Sequence, residues 1–464
     1  MDLLGKTIKE LKQILADKKI SSKELFEYFE KRRKQYNTQV NSYITDISYE
    51  EAVKDVGEGA LSGIPLAIKD NFCINRVRTT ASSKVLDNFI APYNATVINR
   101  LRSAGALTLG KTNMDAWAHG SSTETSDYGP SRNPWDTDRA PGGSSGGSAV
   151  SVSAYLSPAA IGSETAGSIR QPASWTGVVG LKPTYGRVSR YGVIAMGSSL
   201  DCPGPFSLNV EDSAYILQQL AGKDNYDATS SEHEVPDYIA EMKKERKMTI
   251  GIAEEYLEGL DPDVLKSFEQ SIEVFKKLGH TIRNVKLISP KYAISVYTII
   301  QRAEVSSNLA RYDGIRYGND RSYFGEEAKR RVMFGTYTLS YGYYDAFYKK
   351  AQKVRTLIME DFKKVFKDVD VIFAPTTPVT ALKLGEFAKY PFFGEMMDVL
   401  NEPGAVSGIP AINIPTGLDR NNLPIGMQIM GNYFDEGTIL NLAHQFEKET
   451  EYFGVIKKGL ERYR

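Results

Sequence analysis

Two short segments rich in glycine and serine hold the residue types in this sequence that are best suited to catalysis. The first reads APGGSSGGSA over residues 140–149, and the second reads GSETAGSIRQP over residues 162–172. Glycine allows the backbone to approach a ligand closely, and exposed backbone N–H groups stabilise the oxyanion that forms when a nucleophile attacks a carbonyl carbon. We therefore interpret the two segments as parts of one oxyanion site.

Two other interpretations of the first segment are weaker. Its composition suits a flexible linker, but it continues directly into AVSVSAYL, the apolar residues 149–156, and so lies inside a folded unit. A phosphate-binding loop would continue as GK[ST] or show a GxGxxG register, and the segment does neither.

A serine nucleophile in these segments needs a base. None of the four histidines lies in a GxSxG segment or another familiar triad context, so we interpret each as a structural or surface residue: His119, His233, His280 and His444. A lysine can act instead when burial lowers its pKa from about 10.4. Lys69 follows the apolar run IPLAI of a predicted buried strand, which favours it as the base. A salt-bridged or snorkelling lysine would have the same local pattern.

The overall composition excludes several classes of protein. The 464 residues are 41% hydrophobic, and 57 basic residues balance 57 acidic ones, so bulk charge gives no support for nucleic-acid binding. Cys73 and Cys202 form no CxxC pair, which fits a reducing compartment and predicts neither a disulfide framework nor a metal site. The N-terminus lacks the pattern of a signal peptide, and no apolar run reaches the ~18–20 residues of a membrane span. We expect a soluble, cytoplasmic protein.

Helical periodicity and short apolar runs alternate along the chain. Near the N-terminus, Ser21 and Glu24 have the spacing of a capping box. Strands are predicted within residues 64–71, 157–165, 248–255, 369–375, 410–415 and 425–431, and at the ends of 95–113 and 261–287. Helices are predicted at the start of 95–113 and within 261–287, 291–316 and 325–366. This alternation predicts a layered α/β fold with a largely buried sheet. The polar stretch 221–237 is predicted to be a surface excursion.

Several segments in a fixed order resemble the amidase signature family over nearly the whole chain. They include GIPLAIKDN (63–71), LGKTNMD (109–115), the two glycine-rich segments, and SSLDCPGP (198–205). The resemblance implies the fold of that family, a large, mixed and twisted β-sheet covered by helices on both faces. It also implies a single domain over residues 1–464, with an N-terminal helical segment, 1–60, and a signature core, 61–210.

The resemblance implies a Ser–cis-Ser–Lys triad. Carried onto this sequence, Ser168 is the nucleophile, Ser144 is the bridging serine after a cis peptide bond, and Lys69 is the base. Neutral Lys69 would accept a proton from Ser144, which would accept one from Ser168, so that Ser168 can attack an amide carbonyl.

Other family positions support this triad. The oxyanion hole would consist of the backbone N–H groups of Thr165, Ala166, Gly167 and Ser168. Ser145 and Arg170 would hold the two loops in place. Asp70, next to the base, either supports Lys69 or belongs to the turn after the strand, and the sequence leaves both open.

Later segments, such as LPIGMQIMGNYFDE (423–436), are most similar to the glutamine-hydrolysing subunits of aspartyl/glutamyl-tRNA amidotransferases. That similarity implies a heterotrimer in which this chain hydrolyses glutamine and passes ammonia to the B subunit, with the small C subunit strapping the two together. The B subunit would use ATP and Mg to activate the misacylated tRNA, and this chain would bind neither cofactor nor metal. A stand-alone amidase acting on a small or fatty amide is the alternative, and an inactive scaffold is a third possibility.

Glutamine would be held by groups of opposite charge. The resemblance implies that Arg331 binds the α-carboxylate and Asp398 the α-ammonium group, with Tyr297 nearby. The segment before Arg331 is shorter than expected for the family, which leaves Arg330 as the alternative. Without the resemblance, these side chains would be interpreted as a solvated helix face, a loop acid and a core tyrosine.

Two segments depart from the family pattern. The nucleophile loop reads TAGS, where many relatives have TGGS, so Ala166 must either avoid a positive φ or accept backbone strain. The segment DAWAHGSS (115–122) replaces a more usual acidic and aromatic run, which leaves one wall of the pocket undefined.

Overall fold

A computed structural model of the chain describes residues 1–316, 318–389, 396–450 and 452–463. Its strands are β1 Tyr43–Asp46, β2 Pro65–Lys69, β3 Leu107–Thr112, β4 Ala159–Glu164, β5 Val179–Lys182, β6 Cys202–Ser207, β7 Thr249–Ala253, β8 Thr281–Val285, β9 Val371–Pro375, β10 Ala411–Leu418 and β11 Pro424–Gly431. They form one 11-stranded sheet in the order β1-β3-β2-β4-β6-β5-β10-β11-β9-β7-β8.

The sheet is mixed, as the family resemblance implies. Strand β2 pairs in parallel with both β3 and β4, and β7 pairs in parallel with β8 and β9, whereas the central pairs are antiparallel. The predicted strands are present. The sequence patterns missed β1, β5 and β6, which are short or carry proline and glycine, as in the CPGPFS of β6.

The helices are α1 Ile8–Ala16, α2 Ser22–Val40, α3 Tyr49–Ala52, α4 Thr96–Ser103, α5 Gly146–Ser153, α6 Arg170–Thr176, α7 Val210–Leu220, α8 Tyr238–Met242, α9 Pro262–Lys277, α10 Lys291–Leu309, α11 Glu326–Leu339, α12 Lys350–Val365, α13 Glu402–Ser407, α14 Glu436–Thr450 and α15 Tyr452–Leu460. A π-helical turn, Tyr344–Lys349, precedes α12. The capping box of Ser21 and Glu24 begins α2. None of the described helices combines the length and the apolar character that crossing a bilayer would require.

Helices cover both faces of the sheet, and strand β9 shows why both faces are apolar. Val371 and Phe373 pack into one buried cluster, while Ile372 and Ala374 pack into another. Because successive side chains of a strand point to opposite faces, the two clusters are the cores on either side of one sheet. Alternating helices and continuous apolar strands thus give the layered α/β fold.

The end of β2 delivers two charged residues in different directions. Asp70 is fully buried and accepts hydrogen bonds from Lys111 Nζ at 3.0 Å, from the backbone N–H of Thr80 at 2.9 Å and from that of Ser82 at 3.3 Å. Asp70 therefore belongs to the turn after the strand and pairs with Lys111, whereas Lys69 turns toward the glycine-rich segments.

Removing the cation of this buried pair should destabilise the fold. Lys111→Met leaves the Asp70 carboxylate buried without its counter-charge, and we expect the free energy of unfolding to fall by about 3–5 kcal/mol, measured by chemical denaturation. Lys291→Met is the matched control because its ion pair with Glu258 is largely exposed, and it should change stability by less than about 0.5 kcal/mol. Equal effects of the two substitutions would contradict the assignment.

Candidate active site

The amine of Lys69 is fully buried and lies within hydrogen-bond distance of three serines. Its Nζ is 2.9 Å from Oγ of Ser144, 2.8 Å from Oγ of Ser145, and 3.1 Å from both Oγ and the carbonyl oxygen of Ser163. The base and its partners come from three stretches of the chain, since Lys69 ends β2, Ser163 lies in β4, and Ser144 and Ser145 precede α5. The predicted base and bridging serine are therefore in contact.

The hydrogen-bond partners around Nζ of Lys69 suit a neutral amine. The Ser145 hydroxyl donates to the carbonyl of Ser163 at 3.0 Å, so its oxygen is free to accept from Lys69. The two N–H donors of a neutral amine then bind Ser145 and the Ser163 carbonyl, and the lone pair is left for the hydroxyl of Ser144. Ser144 can donate its proton to Lys69, which is the direction that base catalysis requires.

The electrostatics favour the same protonation state. Burial lowers the pKa of Lys69 to about 7, while the negative charges of Asp115, Asp201 and Glu164 oppose that shift. Because an ordinary lysine has a pKa of about 10.4, the burial makes a neutral amine available near neutral pH.

The first glycine-rich segment is packed on all sides and is not a linker. The peptide bond between Gly143 and Ser144 is cis. A Cβ on Gly143 would lie 2.1 Å from Oδ2 of Asp115, and one on Gly147 would lie 2.4 Å from the carbonyl oxygen of Asn113. Side chains do not fit at these positions, so the glycines allow the close approach that places Ser144 beside Lys69.

The nucleophile loop, residues 165–168, is fixed by a buried ion pair. Glu164 accepts from the backbone N–H groups of Ile169 and Arg170, both at 3.0 Å, and from Nε of Arg170 at 2.9 Å. Arg170 also donates to the carbonyl of Ala166 at 2.9 Å and to the side chain of Gln428. Arg170 thus contacts both the residue before the loop and a residue within it.

The loop leaves its own N–H groups unused within the described part of the chain. No hydrogen bond donated by the backbone N–H of Ala166, Gly167 or Ser168 occurs there, an arrangement suited to an oxyanion hole. Ala166 does not adopt a positive φ, so its Cβ causes no backbone strain. The fourth predicted donor, Thr165, binds Asp201 through its hydroxyl at 3.0 Å.

Ser168 lies next to the serine pair but is not joined to it through its hydroxyl. Its carbonyl accepts from the backbone N–H of Ser145 at 3.3 Å. Among the described residues the hydroxyl of Ser168 makes no hydrogen bond, and its residue is 5% exposed. Catalytic hydrogen bonds in unliganded enzymes are often long, so the structure brings Lys69 and Ser144 into contact and leaves the last link of the relay open.

Asp398 lies directly behind the nucleophile loop. A Cβ on Gly167 would be 1.9 Å from Oδ1 of Asp398, and Oδ2 of Asp398 accepts from the hydroxyl of Ser121 at 2.7 Å. Burial raises the pKa of Asp398 to about 7. A carboxylate in this environment is stabilised in its charged form when a cation approaches it.

The structure distinguishes the two candidate arginines of α11. Arg331 is buried and donates from Nε to Glu327 at 2.6 Å, whereas the side chain of Arg330 is 54% exposed. Burial, assisted by the charges of Arg331 and Arg302, holds the pKa of His119 well below its usual value. Arg331 therefore lies on the inner side of the helix, toward the DAWAHGSS segment.

Tyr297 is buried on α10, in the same apolar cluster as Trp117 and Ala166 of the nucleophile loop.

The ring nitrogens of His119 are also buried, and neither has a hydrogen-bond partner among the described residues. His119 is therefore neutral and lies at the edge of the site. The sequence predicts a structural or surface histidine, and it does not predict a buried ring whose two nitrogens have no hydrogen-bond partner among the described residues.

The sequence patterns missed several residues of this site. Ser163 contacts the base directly, Glu164 caps α6, and Gln171 accepts from the backbone N–H of Gly143 at 2.9 Å. The predicted role of Ser145 is only to hold its loop, but it also binds Nζ of Lys69. All four lie in the two glycine-rich segments, so position in those segments is the available signal.

The described residues contain no cluster of three or more histidine, cysteine or acidic side chains arranged to hold a metal.

Comparison with known proteins agrees over most of the chain. The family model named Amidase matches residues 24–440. The A subunit of glutamyl-tRNA(Gln) amidotransferase from Halothermothrix orenii is 50% identical, over 97% of this chain and 98% of the relative. The crystal structure of the A subunit of glutamyl-tRNA(Gln) amidotransferase from Thermotoga maritima has a TM-score of 0.85 at 40% identity, covering 97% of this chain and 96% of that one. The structure of 6-aminohexanoate cyclic dimer hydrolase has a TM-score of 0.89 at 26% identity, covering 98% and 99%.

The pH dependence of amide hydrolysis should report the ionisation of Lys69. Since only the neutral amine accepts a proton and its pKa is about 7, kcat should fall by about tenfold for each unit below that pH and level off above it. Lys69→Arg should lose activity at every pH because a guanidinium does not deprotonate in proteins.

The neighbouring charges supply a sharper test. Asp201 raises the pKa of Lys69, so Asp201→Asn should move the acidic limb of the kcat profile to lower pH. Glu258→Gln, which removes an exposed carboxylate in an ion pair with Lys291, should leave the limb in place. A limb that stays fixed in D201N, or moves to higher pH, would show that another group controls it.

Proposed function

Since this chain belongs to the amidase family, we propose that it is the glutamine-hydrolysing subunit of a tRNA-dependent amidotransferase. The observation that carries the proposal is the buried carboxylate of Asp398 against Gly167 of the nucleophile loop. A fatty or simple amide offers nothing to pair with a buried acid, whereas the α-ammonium group of glutamine does. The near full-length relatives are named as A subunits of glutamyl-tRNA(Gln) amidotransferases, which supports a role in such an enzyme.

The charges on the two sides of the site match a free amino acid. Arg331 is buried on α11 and carries the positive charge that an α-carboxylate requires. Asp398, next to the loop of Ser168, carries the negative charge that an α-ammonium requires. With both ends held, the side-chain amide of glutamine is directed to Ser168 and to the N–H groups of residues 165–168.

The reaction follows from the contacts around Lys69. Neutral Lys69 accepts the proton of Ser144, Ser144 accepts that of Ser168, and Ser168 Oγ bonds to the amide carbon while the N–H groups hold the oxyanion. The intermediate collapses as the proton returns through Ser144 to the leaving nitrogen, which departs as ammonia. Water, deprotonated by the same relay, then cleaves the acyl-serine ester and releases glutamate.

The remaining steps take place on other chains of a heterotrimer in this proposal. The B subunit receives the ammonia, uses ATP and Mg to activate Glu-tRNA(Gln) and/or Asp-tRNA(Asn), and forms Gln-tRNA(Gln) or Asn-tRNA(Asn). The C subunit holds the assembly together. The relatives are named as one subunit of an amidotransferase, which supports an assembly of several chains. This chain contributes neither a cofactor nor a metal.

Removing the nucleophile separates the two half-reactions. Ser168→Ala should lower glutamine-dependent amidation of the tRNA by about 10⁴-fold or more, while amidation from added ammonium in the assembled complex is unchanged. The measurement is the rate of amidated tRNA with each nitrogen source. Loss of both activities would contradict the proposed division of labour, and rapid hydrolysis of simple amides that ignores the partners would favour a stand-alone amidase.

Substitution of each arginine in turn shows whether Arg331 or Arg330 binds the α-carboxylate of glutamine. Arg331→Gln should raise the KM for glutamine by about 10²-fold, since a charged hydrogen-bonded pair contributes roughly 2–3 kcal/mol. Arg330→Gln, on the exposed side of the same helix, is the matched control and should leave the KM unchanged. The reverse order of effects would transfer the role to Arg330.

A further inference from the structure

One region of the surface is unusually rich in exposed apolar side chains. We define the aromatic face by its members, which lie on α11, in the loop after it and in the π-helical turn: Met333, Phe334, Tyr337, Tyr341, Tyr343, Tyr344 and Phe347. Met333 is 72% exposed and Tyr341 is fully exposed. Contiguous apolar patches of this kind on a folded protein usually mark an interaction site.

The exposure is not caused by a loosely attached helix. The opposite side of α11 is buried along a helical stripe that includes Ala328 and Thr338. At the centre of this stripe, a Cβ on Gly335 would lie 1.9 Å from the carbonyl oxygen of Arg302 on α10. Helix α11 is therefore seated on α10 as closely as two backbones allow, and its outer residues are held toward solvent.

The exposed rings are ordered with respect to one another. The ring centroids of Tyr337 and Tyr343 are 4.2 Å apart, and those of Tyr343 and Phe347 are 5.8 Å apart. Tyr344 and Phe347 belong to the π-helical turn, and such turns are frequent at functional sites. Rings that are already stacked lose little conformational freedom when a partner covers them.

Two cations at the edge of the face are paired. Arg330 forms an ion pair with Glu327 at 2.5 Å, and Lys349 forms one with Asp345 at 2.6 Å. A surface that binds RNA offers an excess of cations to phosphates, and here each of the two cations is matched by an acidic residue within about one turn of helix. This pattern suits an apolar protein interface with a polar rim.

Two buried arginines, Arg302 and Arg331, relate the face to the candidate active site. Arg302 lies over the ring of Phe334, 5.0 Å from its centroid. The charges of Arg302 and Arg331 in turn act on His119, two residues before Ser121 and its bond to Asp398. One helix thus carries the substrate arginine on its inner side and the apolar surface on its outer side.

We propose that the aromatic face is the docking surface for the ammonia-consuming subunit of the amidotransferase. The inference rests on the proposed function. Ammonia that escapes into neutral water becomes ammonium, which is not a nucleophile, so its consumer has to dock close to the site that releases it. The face lies on the outer side of the helix that lines that site, and it is apolar in the manner of a lasting interface.

The size of the surface is also adequate. A buried aromatic side chain covers about 150–250 Å², so seven side chains, each about 40% exposed or more, present several hundred Å². A stable interface needs roughly 800 Å² from each partner. The aromatic face can supply the apolar centre of such an interface, with its paired charges at the rim.

The test measures the affinity of this chain for the purified pair of partner subunits. The triple variant Tyr337→Ser, Tyr341→Ser, Phe347→Ser should weaken the Kd by about 30-fold or more, the effect of removing one strong anchor. The control is Tyr226→Ser with Tyr292→Ser, two tyrosines that are 76% and 63% exposed elsewhere, and it should bind like the unaltered chain. If the triple variant folds poorly, Tyr341→Ser alone is measured instead, because a fully exposed side chain contributes little to folding.

The outcomes separate the inference from the function on which it rests. If the unaltered chain neither binds the pair nor hydrolyses glutamine, the proposed function fails and this inference falls with it. If the unaltered chain binds and the triple variant binds equally well, the surface assignment is overturned while the function stands. Loss of self-association in the triple variant, with partner binding intact, would assign the face to a second copy of the chain instead.

Discussion

The structure depends on excluding water from the amine of Lys69, so that a fraction of the amine is uncharged. Burial favours the neutral form and lowers the pKa to about 7, but a buried polar group is tolerated only when its hydrogen bonds are made. The contacts with Ser145 and Ser163 fulfil that condition and leave the lone pair for Ser144. The same geometry that satisfies the amine therefore turns it into a base. Because its partners come from β4 and the loop before α5, strands β2 and β4 must be paired before the base exists.

That requirement explains the density of glycine around the site. Three stretches of backbone have to converge on one amine, and a side chain at any of several positions would keep them apart. Gly143 lies against Asp115, Gly147 against Asn113, and Gly167 against Asp398. Each contact is closer than a Cβ allows, so the glycines here serve packing rather than flexibility. The buried pair of Glu164 and Arg170 then fixes the loop that glycine alone would leave loose.

The sequence predicted the layered fold and the strand that carries Lys69, because apolar runs and helical periods are local signals. It did not predict that Ser163 contacts the base. That contact follows from the parallel register of β2 and β4, in which Ile68 lies opposite Ile161 and Lys69 comes beside the end of β4. Register is a property of two distant segments, and neither contains it alone. The same holds for Asp70, which pairs with Lys111 through the neighbouring strand, and for Arg331, whose burial depends on the packing of α11 on α10.

In the proposed function, helix α11 carries both the residue that recognises the substrate and the surface that recognises a partner. Its inner side carries Arg331, its outer side carries the rings of Phe334 and Tyr337, and Gly335 fixes its distance from α10. A closely packed helix moves as a unit, so a force applied to the outer rings is transmitted to the arginine one turn away. If docking changes the affinity for glutamine, thermodynamic linkage requires that glutamine change the affinity for the partner by the same factor. In the proposed function, hydrolysis and docking then both involve residues of one helix.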